Sequence, residues 1–493
     1  MENVTTLTAA RLAGKMMREV RPLFYLELPS TSSFQHVTEV PDYSKQVTPY
    51  FFAMIFLEVF IRWMKGMPRV RFNSSIDSLS AGLFLLLTKV LMGSIDISLY
   101  VWVHSRFCMY ELPWDSALTW IVALLGVDCG YYWFHRMAHE VNLIWAAHQV
   151  HHSSDDFTLS SALRQPISTV FFSMFVYLPL ALFLPPSLYF THKQFNLLYQ
   201  FWIHTEVVDR LGVLEWVLNT PSHHRVHHGR NPYCIDCNYA GVLIIWDRMF
   251  GTFQPELREE KVVYGLVHPL SSWNPFWAQI HHYVYIARRL VRGEKGDGLA
   301  FKLQFLFKGP GWSPGKPRLG LRQDIPQVSP DEKPYDPTVP FWLNVYVAIH
   351  FVILLIIATV MRIIRQGLPW LQTVALVSYC MFSLTCLGLF LERNPRVVPM
   401  EMTRLAVLLT ALTQSSTVFA GASSVSLVFS HPVILMIPVA TSLALWSFKL
   451  LSGHVLTTDP QQLRPIDETK LCANGHSYPT FCVTTRFLIY ISV

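Results

Sequence analysis

The chain is poor in charge. Only 15% of its 493 residues are Asp, Glu, Lys or Arg, while 52% are hydrophobic. A soluble domain carries about 25% charged residues, so there is too little polar side chain to cover a water-facing surface of this length. Neither sign of charge is concentrated: the net charge of +6 is spread along loops, which argues against a nucleic-acid partner. Cysteine is scarce too. The eight cysteines lack paired zinc-ribbon spacing, and the lone Cys234-x-x-Cys237 reads as an incidental loop pair, so no disulfide framework is expected. The first forty residues hold Arg11, Lys15, Arg18 and Arg21 but no long apolar stretch. A cleaved signal peptide is therefore not expected, and membrane entry depends on internal spans. No internal repeat is visible.

What is abundant is apolar sequence in runs. They fall at 49–63, 81–103, 117–133 and 167–190, and again at 339–364, 371–391, 405–422 and 432–448. A span needs roughly 20 apolar residues. Segment 167–190 is uncharged and the clearest of the first set, whereas 81–103 contains Lys89 and Asp96, and 49–63 contains Glu58. A buried ionisable group inside a span is usually functional or paired, and a short or tilted helix end is the other reading of each. Between the two sets the chain is more polar, and Lys308-Gly-Pro-Gly-Trp-Ser-Pro-Gly-Lys316 reads as extended and helix-free. The expected division is a polar segment 1–48, a membrane-embedded catalytic domain 49–320, a linker 321–338, C-terminal membrane helices 339–450 and an irregular tail 451–493. The fold class is all-α and polytopic, with a metal site in a polar cap at the helix ends.

Histidine carries the chemistry. Eleven of the twenty histidines fall between His135 and His228. Three clusters stand out: His135-Arg-Met-Ala-His139, His148-Gln-Val-His151-His152 and His224-Arg-Val-His227-His228, with His204 between the last two. Spacings of three and four put imidazoles on one helix face, and neutral imidazole is the commonest protein metal ligand. The nine candidates are His135, His139, His148, His151, His152, His204, His224, His227 and His228. Four ligands fill a zinc site, so nine point to two metals with an open position for oxygen, and redox iron suits them better than zinc. Carboxylates able to orient them are Asp128, Glu140, Asp155, Asp156, Glu206 and Asp209. Glu140, next to His139, is the first choice and the candidate catalytic residue. His223 points roughly 100° away from His224 on a helix, and His192, His268, His281 and His282 lack the spacing.

These clusters resemble the HxxxH, HxxHH and HxxHH boxes of the membrane fatty acid hydroxylase and sterol desaturase superfamily, whose extra histidine corresponds to His204. Longer stretches are similar to the branch that cleaves glyceryl ethers. They are Gly130-Tyr-Tyr-Trp-Phe-His-Arg-Met-Ala-His-Glu140, Asn219-Thr-Pro-Ser-His-His-Arg-Val-His-His-Gly-Arg230, Tyr239-Ala-Gly-Val-Leu-Ile-Ile-Trp-Asp247 and the segment 308–321. The resemblance runs from about residue 20 to about 450. It implies two iron ions, O2 and tetrahydrobiopterin as cofactors, and an ether-lipid substrate drawn from the bilayer. It also implies an endoplasmic reticulum membrane, with the site facing the cytosol. Spacing identifies no pterin pocket. Basic residues flank both sides of the first span, so the positive-inside rule leaves orientation open.

Two other readings compete. A sterol or fatty-acyl hydroxylase or desaturase of the same superfamily keeps the metal site and changes the substrate. A metal transporter with a His-rich loop predicts mid-membrane ligands and internal repeats; here the clusters sit at the ends of apolar runs. The polar tail after Lys449 offers little to pack, and its Cys472 and His476 lack partner ligands. Ending the chain near Ser452 is therefore expected to leave expression and turnover intact. A truncated protein that inserts normally but is inactive would show that the tail serves the site.

Overall fold

The computed structural model describes residues 14–292, 298–413 and 432–451. The architecture is helical, and the described residues contain no strand, only isolated bridges at Leu218–Leu243 and Gly229–Tyr264. Thirteen described helices have eight residues or more. They are α1 Tyr43–Met64, α2 Phe72–Met92, α3 Ile95–Phe107, α4 Ala117–Glu140, α5 Asn142–His152, α6 Pro186–Trp202, α7 Pro221–His228, α8 Pro275–Arg292, α9 Leu299–Phe307, α10 Phe341–Ile364, α11 Trp370–Leu391, α12 Val397–Thr413 and α13 Pro432–Leu451. Five segments among the described residues are long and apolar enough to cross a bilayer: Val37–Met64, which contains α1, and α2, α4, α10 and α11.

Two expected spans break up. Segment 167–190 is a short helix Val170–Val176, a tight turn Leu178–Leu182, and only then the start of α6. Pro179, Pro185 and Pro186 lack the N–H that would continue a helix, so apolar length is cut into pieces too short to span. Segment 81–103 is interrupted at Gly93, whose φ of +65° is a conformation that glycine adopts readily; it ends α2 and lets α3 leave in a new direction. Asp96 consequently lies in the first helical turn of α3 and pairs with Lys193 of α6. The run 405–422 forms helix only through Thr413 among the described residues, and the tail with Cys472 and His476 lies outside them.

The spans share one polar end. At the cap, Arg62 of α1 reaches Glu206 at 3.0 Å and Asn73 of α2 reaches Asp336 at 2.9 Å. Glu140 ends α4 against Arg318, and Glu392, just past α11, accepts the Trp273 N–H at 2.7 Å. At the opposite end Arg362 of α10 pairs with Asp42 before α1, and Arg365 bonds the Val90 carbonyl of α2. Lipid supplies no hydrophobic drive between helices, so close packing and buried polar pairs hold them. In the C-terminal bundle Glu401 and Arg404 of α12 form a fully buried pair that also takes Tyr346 and His350 of α10.

The segment 308–316 is helix-free but not a free tether. Trp312 is buried beside Ala146 of α5, and the Lys308 carbonyl accepts the Asn142 N–H at 2.8 Å. One close approach joins the two halves: a Cβ on Gly388 of α11 would lie 2.1 Å from the Trp273 carbonyl oxygen. That oxygen belongs to backbone, so nothing can yield cheaply. Overpacking of this kind costs roughly 1–3 kcal/mol, and Gly388→Ala should lower the detergent-solubilised protein's unfolding temperature by several degrees. An unchanged melt would show that the halves are not docked there.

Candidate metal centre

Four elements bring the nine histidines together. α4 carries His135 and His139 one turn apart on one face, at its cap end. An extended Val141 reverses the chain into α5, whose last turn holds His148, His151 and His152. His204 follows the C-terminal end of α6, and α7 carries His224, His227 and His228. Pro221 at the first position of α7 presets its φ and wastes no donor. Gly229 closes it; a Cβ there would meet Cys234 Sγ at 2.6 Å and Val262 at 2.8 Å, so only glycine lets the chain leave.

The nine sort into two adjoining buried sets. His135, His139, His148, His152 and His227 form one, and His151, His204, His224 and His228 the other; within each set the nitrogens lie within 4.8 Å of one another. Both HxxHH boxes are split between the sets, so neighbours His151 and His152 face different clusters, as do His227 and His228. The His152 and His228 rings stack at 4.3 Å across the boundary.

Their hydrogen bonds fix which nitrogen is free. His135 Nδ1 lies 2.7 Å from the Tyr239 carbonyl, His151 Nδ1 3.1 Å from that of Arg164, His204 Nδ1 2.6 Å from that of Gln200, and His227 Nδ1 2.9 Å from that of Cys237. A carbonyl only accepts, so each Nδ1 must hold the proton and each Nε2 a lone pair. Yet His151 Nε2 and His204 Nε2 stand 3.2 Å apart, and His227 Nε2 has no protein partner. Converging unpaired acceptors in a buried volume are costly, and a cation between them removes the cost. Burial also pushes His151 down to about 4 and His227 down to about 3, so both are neutral bases near pH 7. The donor set thus fits a metal ion.

The supporting groups differ from those expected. Glu140 does not orient a histidine: one carboxylate oxygen takes Arg136 at 2.8 Å and the other takes Arg318, so it clamps the end of α4 to the 308–320 segment. The carboxylate near His139 is Asp236, 3.8 Å from its Nδ1. Asp156 pairs with Arg71, Glu206 with Arg62, and Asp209 is exposed. Asp155 packs against Gly265. Asp128 does serve the site, but through backbone. Its oxygens hold the Val242 and Leu243 N–H groups and the side chains of Asn196 and Trp246 at 2.6–2.9 Å. Asp247 takes the Tyr239 and Ala240 N–H groups at 2.8 Å, which aims the Tyr239 carbonyl at His135.

Other residues fall where their spacing suggested. His223 turns to Phe253, His192 bonds Tyr25, and His282 bonds Asn142. Cys234 and Cys237 are buried free thiols. Missed from sequence was the pair Asp77–Arg164, buried and ion-paired. Arg164 Nε also grips the Val150 carbonyl at 2.9 Å, while its own carbonyl receives His151. Phe157 stacks on His204 and Tyr264 and closes the second cluster against water.

The fold and these clusters define a polytopic membrane protein of the fatty acid hydroxylase class, and the fatty acid hydroxylase family model matches residues 120–252. The model of the alkylglycerol monooxygenase C-terminal domain matches residues 343–430. Alkylglycerol monooxygenase of Xenopus tropicalis is 50% identical over 386 residues, covering 78% of this chain and 85% of the relative. That of Danio rerio is 50% identical over 390 residues (79% and 86%), and that of Homo sapiens 48% over 385 (78% and 85%). No solved structure matches. The chain belongs to the alkylglycerol monooxygenase family.

Alanine at His135, His148, His151, His224 or His227 should abolish activity and reduce bound metal, since ligands of one coupled centre act as a unit. His192→Ala and His281→Ala should retain most of both. Asp77→Asn frees Arg164 and should lower metal retention about 10–100-fold, the range for a group that supports a ligand. Metal analysis of purified protein checks each; normal metal content in several box variants would refute the ligand assignment.

Proposed function

We propose that this chain is a membrane mono-oxygenase that hydroxylates the ether-linked carbon of glyceryl ethers, including alkylglycerols and lyso-alkyl phospholipids. The product is a hemiacetal that collapses to a fatty aldehyde and a glycerol derivative. The observation that carries the reading is the pair of buried all-imidazole clusters at the cap ends of membrane helices. The family relatives support the ether-lipid substrate over a sterol or a free acyl chain.

An ether has no electrophilic carbonyl, so the groups that hydrolyse esters have nothing to attack. Oxygen insertion at the adjacent C–H avoids this. Two iron ions, one in each cluster, would supply the oxygen activation. A bound tetrahydropterin would supply the two electrons needed to reduce the second oxygen atom of O2 to water. The nine histidines would hold the metals, and the backbone carbonyls of Tyr239, Arg164, Gln200 and Cys237 keep the Nε2 atoms of His135, His151, His204 and His227 aimed inward. Phe157 and Tyr264 keep water from the second cluster. The apolar helices align the alkyl chain so that its first carbon meets the oxidant, and such positioning supplies much of a catalysed rate. Glu140 acts by holding the end of α4.

The same reading divides the chain into a catalytic part 49–320, a linker 321–338 and C-terminal helices 339–450, in keeping with family matches that end at 252 and resume at 343. It sets the protein in the endoplasmic reticulum membrane with the cap in the cytosol.

Purified protein should contain close to two irons per chain. It should release fatty aldehyde from 1-O-alkylglycerol only with both O2 and a tetrahydropterin. Labelled dioxygen should put one atom in the aldehyde before exchange with water, and ester analogues should be inert. Active protein that ignores alkylglycerols but oxidises sterols or acyl chains overturns the substrate; activity without a pterin overturns the electron donor.

A further inference from the structure

An apolar surface continues from the lipid face of α4 onto segments that do not span the bilayer. The exposed side of α4 reads Leu118, Ile121, Leu125 and Trp133, a single helix face. Because α4 is a membrane span, that face meets acyl chains. Trp133 lies seven residues before Glu140, roughly 10 Å along a helix, which sets it near the aqueous boundary. Phe250, at the end of the short helix Ile245–Phe250, packs on Trp133 at 4.9 Å, and its neighbour Met249 is 66% exposed. Arg248 of the same helix lies over the Trp216 ring at 5.1 Å and donates to the Glu215 carbonyl at 3.1 Å. Trp216 closes the turn Gly212–Trp216, where Trp216 is 69% and Val213 81% exposed, flanked by exposed Leu214 and Val217.

The rim of this surface carries guanidinium groups interspersed with Glu140, Asp209 and Glu215. Arg136 lies over Trp133 at 5.6 Å, and Arg210 and Arg248 are exposed beside the turn. Aromatic and aliphatic side chains below a collar of guanidinium groups match the headgroup–acyl boundary, where apolar surface is buried and cations meet phosphate. We propose that the turn Gly212–Trp216 and the helix Ile245–Phe250 form a wedge seated in that boundary, on the leaflet that faces the cap, with the phospholipid bilayer as its partner. This rests on α4 spanning the membrane and not on the ether reaction. The wedge is wired to the site: Trp216 precedes the histidine-bearing α7 by a few residues, and Asp247 of the wedge helix aims the Tyr239 carbonyl at His135. It therefore fixes the position of the clusters relative to the headgroup level.

The test uses the full chain in vesicles of phosphatidylcholine with a fraction of phosphatidylserine. The photo-crosslinking residue p-benzoylphenylalanine replaces Val213 or Met249, and Glu259, exposed elsewhere on the cap, serves as control. Only variants that keep wild-type metal content are irradiated, and adducts are read by intact mass. Positions 213 and 249 should each give phospholipid adducts several-fold above position 259. Adducts no more frequent than the control, or a crosslink to a second copy of the chain or to another protein, would overturn the proposal.

Discussion

Imidazole lone pairs do not share a buried space without positive charge between them, and the architecture around the nine histidines follows from that constraint. Four elements must arrive at one point with their nitrogens facing inward, and His135, His151, His204 and His227 have their Nδ1 atoms satisfied behind. The backing acceptors are backbone carbonyls, which cannot titrate and move only if the chain moves. Carboxylates hold the carbonyls in turn: Asp247 fixes Tyr239, and Asp77 steadies Arg164. Apart from Asp236 beside His139, the carboxylates stand one layer behind the histidines, and the clusters are all-nitrogen.

The membrane makes this possible. Inside a bilayer a ring of nine unmetallated imidazoles would lack any route for ions, while in open solvent the loops would hydrate and spread. At the cap ends of the spans the helices are stiff but the surroundings are polar. Ion pairs at both ends, Arg62–Glu206 at the cap and Arg362–Asp42 opposite it, hold the spans in register. Among the described residues the C-terminal bundle adds no histidine to the clusters. It braces α2, the helix that supplies Asp77, through a continuous apolar core.

The histidine boxes were legible because spacing of three and four is itself a geometric statement, and the helices α4, α5 and α7 realise it. The partition of each HxxHH box between two clusters was not, since it depends on how helices approach, which no single segment encodes. Carbonyl partners left no trace in residue type, and Asp247, which fixes one of them, was not among the carboxylates singled out. Glu140 misled because adjacency in sequence to His139 places it about 100° round the helix, where Arg136 and Arg318 claim it. Segment 167–190 misled because hydropathy counts apolar residues and ignores the missing N–H of proline.

Consecutive residues serving opposite clusters turn two short helices into rulers. The step from His151 to His152, and from His227 to His228, is one rise of about 1.5 Å and one rotation of about 100°. The offset between the two clusters is therefore written in covalent geometry at two independent places. Neither cluster can drift toward or away from the other, whatever the tension in the surrounding lipid, unless a helical turn unwinds.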